Sequence, residues 1–239
     1  MPTATHLRCA LEARAALIIP ALDEEPAIGR TLDQVPAAVY REVIVADNGS
    51  CDRTAKIARE RGATVVTEAE RGYGAACLCA LKALPKGIEA VVFMDADSSD
   101  DPSEAPKLLD PIYQGRADLV IGSRTLGNAE PGALEPHQIL GNRLATGLIR
   151  IFFGYRYTDL GPFRAIGADA LRKLNMRDRN YGWTIEMQIK ALRKGLRVME
   201  VPVTYRRRVG TSKISGNLRA SVAAGVKIIW TVFRLAVRR

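Results

Sequence analysis

Apolar residues fall along this chain in short blocks separated by longer stretches of helical period. Ala15 to Pro20 (AALIIP), Glu42 to Asp47 (EVIVAD), Ala63 to Thr67 and the run from Val91 (VVFM) have strand length and turn residues at their ends, the pattern of strands buried on both faces. Between them, helices are predicted from the acidic turn Asp23-Glu24-Glu25 to about Ala38, from Cys51, Asp52 and Arg53 after the turn NGS, and from the RGYG segment that holds Gly72 and Gly74. Strands alternating with helices predict an α/β fold with a mostly parallel central sheet flanked by helices, whose ligands gather at the carboxyl ends of the strands. Two of those ends are acidic. Asp47 closes the second strand, and VVFM runs into Asp95, Asp97, Asp100 and Asp101.

Asp95 and Asp97 alternate with Ala96, so on an extended chain both carboxylates project from one side, and like charges so placed call for a cation between them. Hard oxygen ligands suit Mg²⁺ or Mn²⁺. Asp100 and Asp101, just ahead of Pro102, read as caps of the next helix. Downstream, the strand ADLVIG leads to Arg124, a helix is expected from about His137 to Phe153, and another opens at Gly182-Trp183-Thr184-Ile185-Glu186, runs to Lys194 and stops at Gly195.

Charge and composition narrow the classes. The net charge of +9 comes entirely from residues after Glu200, where nine Lys and Arg follow and no acid does. A local basic end of this kind, not spread over a face and with no recognisable module, argues against nucleic acid as a partner. With 239 residues, 47% of them hydrophobic, the chain fills an ordinary core without staples. Its four cysteines are not spaced as zinc pairs, and reduced thiols in the cytosol are expected. PALDEE after the first strand replaces the glycine-rich loop that a dinucleotide or a nucleotidyltransferase site would need.

From Leu218 to Val237 one stripe is apolar (Val222, Val226, Ile229, Trp230, Phe233, Val237) and another polar (Arg219, Lys227, Thr231, Arg234). Lys227 and Arg234 interrupt it well short of the ~20 apolar residues of a membrane span. The apolar stripe therefore either lies on an anionic membrane surface or packs on the rest of the chain or on a second copy in a homodimer.

Pro20-Ala-Leu-Asp23-Glu24, Asp47-Asn-Gly-Ser50 with Asp52, Arg71-Gly-Tyr-Gly74, Asp95-Ala-Asp97, Gly122-Ser-Arg124, Asp159 through Phe163-Arg164 and EVPVTYRRRVGTSK from Glu200 to Lys213 together resemble, in order and spacing, the family 2 glycosyltransferases. The branch most similar is that of the dolichyl- and polyprenyl-phosphate sugar transferases. The resemblance implies a GT-A fold over residues 14–214, with a donor half at about 14–125 and an acceptor half at about 126–214, followed by a basic amphipathic helix over 215–239. It implies inverting, metal-dependent transfer from a UDP- or GDP-linked sugar to an acceptor, polyprenyl phosphate being one candidate. A soluble small acceptor, or a non-catalytic nucleotide-sugar binder, is the alternative. On the donor side it implies Pro20, Leu22, Glu24, Asp47, Gly72, Asp95, Ala96, Asp97 and Arg124, with Mg²⁺ or Mn²⁺ on Asp95 and Asp97. Catalytic roles would fall to Asp97, Glu186, Arg208 and Lys213. Asp47 would take the base, or else only cap its turn; Trp183 would be core or a sugar platform; Glu186 would be a general base or a supporting hydrogen-bond partner. The expected location is cytoplasmic, peripheral at the inner face of the membrane if the acceptor is a lipid.

Overall fold

The computed structural model describes residues 13–210 and 218–237. Its strands β1 (Ala15–Ala21), β2 (Tyr40–Asp47), β3 (Thr64–Thr67), β4 (Ala90–Phe93), β5 (Leu119–Ala129), β6 (Arg164–Gly167) and β7 (Val198–Tyr205) form one sheet in the order β3-β2-β1-β4-β6-β5-β7. Only β6 runs antiparallel to its neighbours. The helices are α1 (Glu25–Asp33), α2 (Thr54–Glu60), α3 (Tyr73–Lys82), α4 (Ala105–Tyr113), α5 (Pro136–Phe153), α6 (Ala168–Leu174), α7 (Trp183–Arg193) and α8 (Leu218–Val237).

The strands read as continuous apolar runs because both faces are covered. Ala16 and Ile18 of β1 join a core with Cys77 of α3 and Ile185 of α7, whereas Leu17 and Ile19 join a second core with Ile28 of α1 and Leu108 of α4. Successive strand residues point to opposite faces, so burial on both removes the alternation. From β1 the chain moves outward through β2 to β3, then returns to lay β4 on β1's other side. This reversal opens a crevice beyond the carboxyl ends of β1 and β4, the usual ligand site of an open α/β sheet.

Local chemistry moves some predicted boundaries. Helix α1 ends at Asp33 rather than near Ala38, since Pro36 biases Val35 away from helical backbone. Strand β4 stops at Phe93, and Asp95 and Asp97 lie in the turn that follows, where Ser98 takes φ 62°; they are not on an extended strand end. Trp183 is 1% exposed and packs edge-on against Phe93. It belongs to the core and offers no face to a sugar.

Helix α8 packs on α5 and α7 and buries Thr231, Val232 and Leu235. Its expected apolar stripe is largely left open: Val226, Trp230, Phe233 and Val237 are 45 to 81% exposed, Ile229 is half-buried, and Phe233 touches the rest of the chain at Phe152 of α5. Val222 lies outside the described side chains. Of the polar stripe, Lys227, Thr231 and Arg234 turn inward, the two cations toward a buried carboxylate, Asp178, which lies 3.3 Å from Lys227 Nζ and 3.9 Å from Arg234 Nη2. None of the described helices is long and apolar enough to cross a membrane.

Candidate active site

A cleft of about 260 Å³ occupies the crevice. Its walls come from Pro20, Leu22 and Glu24 after β1, Asn48 after β2, Arg71 to Tyr73 at the start of α3, Asp95 to Asp97 after β4, Asn180 and Tyr181 before α7, and Arg208 after β7. Of the residues expected around a donor, Pro20, Leu22, Glu24, Gly72, Asp95, Ala96 and Asp97 converge here, and Arg208 joins them.

The acidic turn after β1 is shaped by the turn after β2. The amides of Asp23, Glu24 and Glu25 donate to Ser50 Oγ, Thr54 Oγ1 and Asp52 Oδ2 at 2.9, 2.8 and 3.0 Å. These amides are therefore committed within the protein, which confirms that PALDEE is no phosphate loop. Gly72 has φ 149°, and a Cβ there would lie 2.1 Å from the Arg179 carbonyl oxygen; one on Gly74 would lie 2.0 Å from that of Asp178. Only glycine lets α3 start this close to the 178–180 segment, where Ala75 N–H donates to Arg179 O at 2.9 Å. Asn48, Asn180 and Tyr181 also line the cleft, without having been singled out as site residues from the sequence. Asn48 is the organiser among them: its Oδ1 accepts from Gly72 N–H at 2.7 Å and its Nδ2 donates to the carbonyls of Glu68 and Glu70. The N-G turn was its only signal.

The acids after β4 are short of positive charge. Asp97 Oδ1 accepts from Ser99 N–H at 3.0 Å and from Ser99 Oγ at 2.5 Å. Its Oδ2 faces Arg208 Nη2 at 3.4 Å, and the same nitrogen lies 3.3 Å from Glu24 Oε1. Burial, and then the charge of Asp97, push the Asp95 carboxyl up to about 6. Asp100 does not cap a helix. It is 1% exposed, is raised well above the carboxylate range by burial and then by Asp95 and Asp97, and its Oδ1 has no hydrogen-bond partner among the described residues. A bridge between its backbone and that of Tyr205 turns the residue inward. Asp101 does cap, accepting from Ser103 N–H at 3.0 Å.

Crowded, partly unanswered carboxylates with oxygen donors alone fit a hard divalent cation. Among the described residues no three metal-ligating side chains converge on one point. Asp95 and Asp97 would thus hold such an ion only with oxygens from a bound ligand and water, as Mg²⁺ commonly is held.

Three expected residues are not brought to the cleft wall. Arg124 is taken by Asp159, through Nε–Oδ2 at 2.8 Å and Nη2–Oδ1 at 2.7 Å, and stacks over Tyr205. Burial would lower its pKa, but the Asp159 hydrogen bonds, together with the charge of Asp159 and with Tyr205 and Asp100, raise it; from this position its charge lowers Asp95 and Asp100. Glu186 is 1% exposed: Oε2 accepts from the amides of Arg177 and Asp178 at 3.0 and 2.7 Å, and Oε1 meets Lys190 Nζ at 2.8 Å. With both oxygens so held it shapes the 177–178 turn and is no base facing the cleft. Asp47 ends β2 as expected, with Oδ1 accepting from Ser50 N–H at 3.2 Å, one residue before the cleft-lining Asn48. Lys213 lies outside the described residues.

The Arg124–Asp159 pair predicts a stability effect. Asp159→Ala leaves a largely buried guanidinium, its side chain 15% exposed, without its partner and should destabilise the protein by about 3 kcal/mol, measured as a lower urea midpoint at unchanged slope.

Residues 16–174, more than half of the chain, match the family model of glycosyl transferase family 2. The chain is 35% identical over 206 residues to a low-salt glycan biosynthesis hexosyltransferase of Haloferax volcanii, covering 83% of this chain and 49% of that protein. It is 31% identical over 226 residues to undecaprenyl-phosphate mannosyltransferase of Micrococcus luteus, covering 89% of this chain and 92% of that one. It thus spans about half the length of the first relative and nearly all of the second. Among solved structures, glucosyl-3-phosphoglycerate synthase of Mycobacterium tuberculosis, crystallised with Mn²⁺, UDP and glucosyl-3-phosphoglycerate, shares the fold at a TM-score of 0.76 and 24% identity, over 94% of this chain and 80% of that one. By sequence match and by its seven-stranded, mostly parallel sheet flanked by helices, the chain belongs to glycosyl transferase family 2 and has the GT-A fold.

Proposed function

We propose that the protein transfers a hexose from a UDP- or GDP-linked donor to polyprenyl phosphate with inversion, in a single domain over residues 14–214. The observation that carries this reading is the convergence of Glu24, Asp95, Asp97 and Arg208 on one cleft between β1 and β4. Pro20 and Leu22 would flank the nucleoside, and Asp47, at the end of β2, would accept a ring N–H of the base. A bound Mg²⁺ or Mn²⁺ on Asp95 and Asp97 would supply Lewis-acid stabilisation of the diphosphate leaving group. Arg208, now bridging Glu24 and Asp97, would swing its fork to the diphosphate, with Lys213 as a second cation. A phosphate acceptor is ionised at neutral pH and needs no base, in keeping with the closed surroundings of Glu186. Attack from the face opposite the diphosphate gives inversion. The mannosyltransferase relative, named for undecaprenyl phosphate, supports the choice of acceptor.

A thermal-shift screen of nucleoside diphosphates with and without Mn²⁺ tests the donor side, since a ligand bound only by the folded state raises the midpoint with its affinity. UDP or GDP should stabilise the protein only when Mn²⁺ is present; no shift with any diphosphate would overturn the reading.

The acid cluster adds a pH prediction. A carboxyl raised from 3.8 to about 6 in the folded state contributes stability that is complete below the unfolded value and is lost as pH rises through about 6. In chelator, the midpoint should therefore fall between pH 5 and pH 7.5, and Mn²⁺ should restore more of it at pH 7.5. Asp95→Asn should flatten the profile in chelator. An unchanged profile would show that Asp95 does not titrate there.

A further inference from the structure

We propose that the outward faces of α5 and α8 form one docking surface for an anionic lipid bilayer. Among the described residues, every exposed large apolar side chain except Tyr113 and Leu126 lies on these two helices. The surface is continuous, because Phe152 of α5 and Phe233 of α8 meet edge-on at 5.2 Å. Leu140 and Ile151 extend it along α5, at 68 and 76% exposed, and Trp230 continues it along α8 at 50%. Contiguous exposed apolar area on this scale marks an interaction site.

Charge selects the occupant. Residues 136–153 and 218–237 contain no Asp or Glu, and Arg143 and Arg150 stand exposed on α5. Lys227 and Arg234 turn their charge inward to Asp178 and lie 4.9 and 4.7 Å from the Trp230 ring centre, so among the described side chains the outward positive charge is that of the exposed Arg143 and Arg150, beside an amphipathic Trp of the kind found at the edge of a bilayer. A second copy docked through a two-fold axis would set this acid-free, cationic face against itself. An anionic leaflet answers both the apolar area and the charge.

The helix cannot roll to hide its apolar side. Its inner face is held at the buried Asp178, near Lys227 and Arg234. Asp178 Oδ1 also accepts from the amides of Asn180 and Gly182 at 2.8 and 3.1 Å, and Asn180 lines the cleft. The docking surface is therefore joined through one carboxylate to the wall of the cleft. The inference rests on the lipid-acceptor reading only for its purpose, which is to bring the cleft to a phosphate carried in a membrane.

The test is co-sedimentation of the full chain with vesicles of phosphatidylcholine alone or mixed with phosphatidylglycerol, free of polyprenyl phosphate, at low and high salt. The protein should pellet with the anionic vesicles at low salt and be released at high salt. Trp230→Ser combined with Phe233→Ser should lower the partition coefficient at least tenfold at an unchanged melting midpoint. Both side chains are about half exposed, so the fold does not need them, and Leu140→Ser with Ile151→Ser repeats the test from α5. Failure of the wild type to pellet at low salt overturns the proposal, as does a concentration-dependent dimer that the same substitutions dissolve in the absence of lipid. Vesicle binding without transfer to polyprenyl phosphate would refute the acceptor and leave the surface standing.

Discussion

Asp97→Ala should abolish transfer while the protein stays folded. On the proposed reading the substitution removes one of two protein ligands for the divalent ion and frees Arg208 from its resting partner. Metal stabilisation of a leaving diphosphate is worth several kcal/mol, and each 1.36 kcal/mol is tenfold, so the loss in kcat/KM should be on the order of 10³-fold or more. Stability should change little. The hydrogen bonds from Ser99 are lost, at about 1 kcal/mol each, but so is the repulsion that raises Asp95. Steady-state kinetics beside a melting curve separates the two effects. Activity within tenfold of wild type in a folded Asp97→Ala protein would remove the metal from the account.

Arg208→Ala should cut kcat on the order of 10²-fold and leave donor KM within a few-fold, because a cation aimed at developing charge acts mainly in the transition state. Its guanidinium nitrogen now lies between Glu24 and Asp97, at 3.3 and 3.4 Å, and the backbone places it there: Arg206 N–H donates to Ser99 O and Val209 N–H to Asp97 O, at 2.8 and 2.9 Å. The 206–209 segment is thus fastened to the acidic turn, with Arg208 over the cleft. Arg208→Lys should recover only part of kcat, since an ammonium lacks the planar fork. A rise in KM at unchanged kcat would make Arg208 a ground-state anchor instead.

What could be read in the sequence was what is local. The strands were legible because burial on both faces leaves continuous apolar runs, and the crevice was legible because Glu24 and the acids Asp95 and Asp97 follow two of those runs. Partners distant in sequence were not. Arg124 looked available until Asp159, 35 positions on, engaged its Nε and Nη2 edge. Glu186 stood at a helix start like a reactive carboxylate, but the turn it holds lies eight and nine positions back. Asp100 and Asp101 share a pre-proline signature, and only the bridge to Tyr205 separates them. The two stripes of α8 were plain, but which one faces inward was decided by Asp178, a buried acid in the loop between α6 and α7 that draws Lys227 and Arg234 toward it.

The most direct test is transfer itself. Purified protein is incubated with polyprenyl phosphate, Mn²⁺ and radiolabelled UDP- or GDP-hexoses, and label is followed into the organic phase while released nucleoside diphosphate is counted. The account predicts lipid-linked sugar of inverted anomeric configuration from a UDP- or GDP-linked donor, released diphosphate in equal amount, and loss of both in chelator. Sugar transfer undiminished in chelator, or label that never leaves the nucleotide with any donor tried, would contradict it.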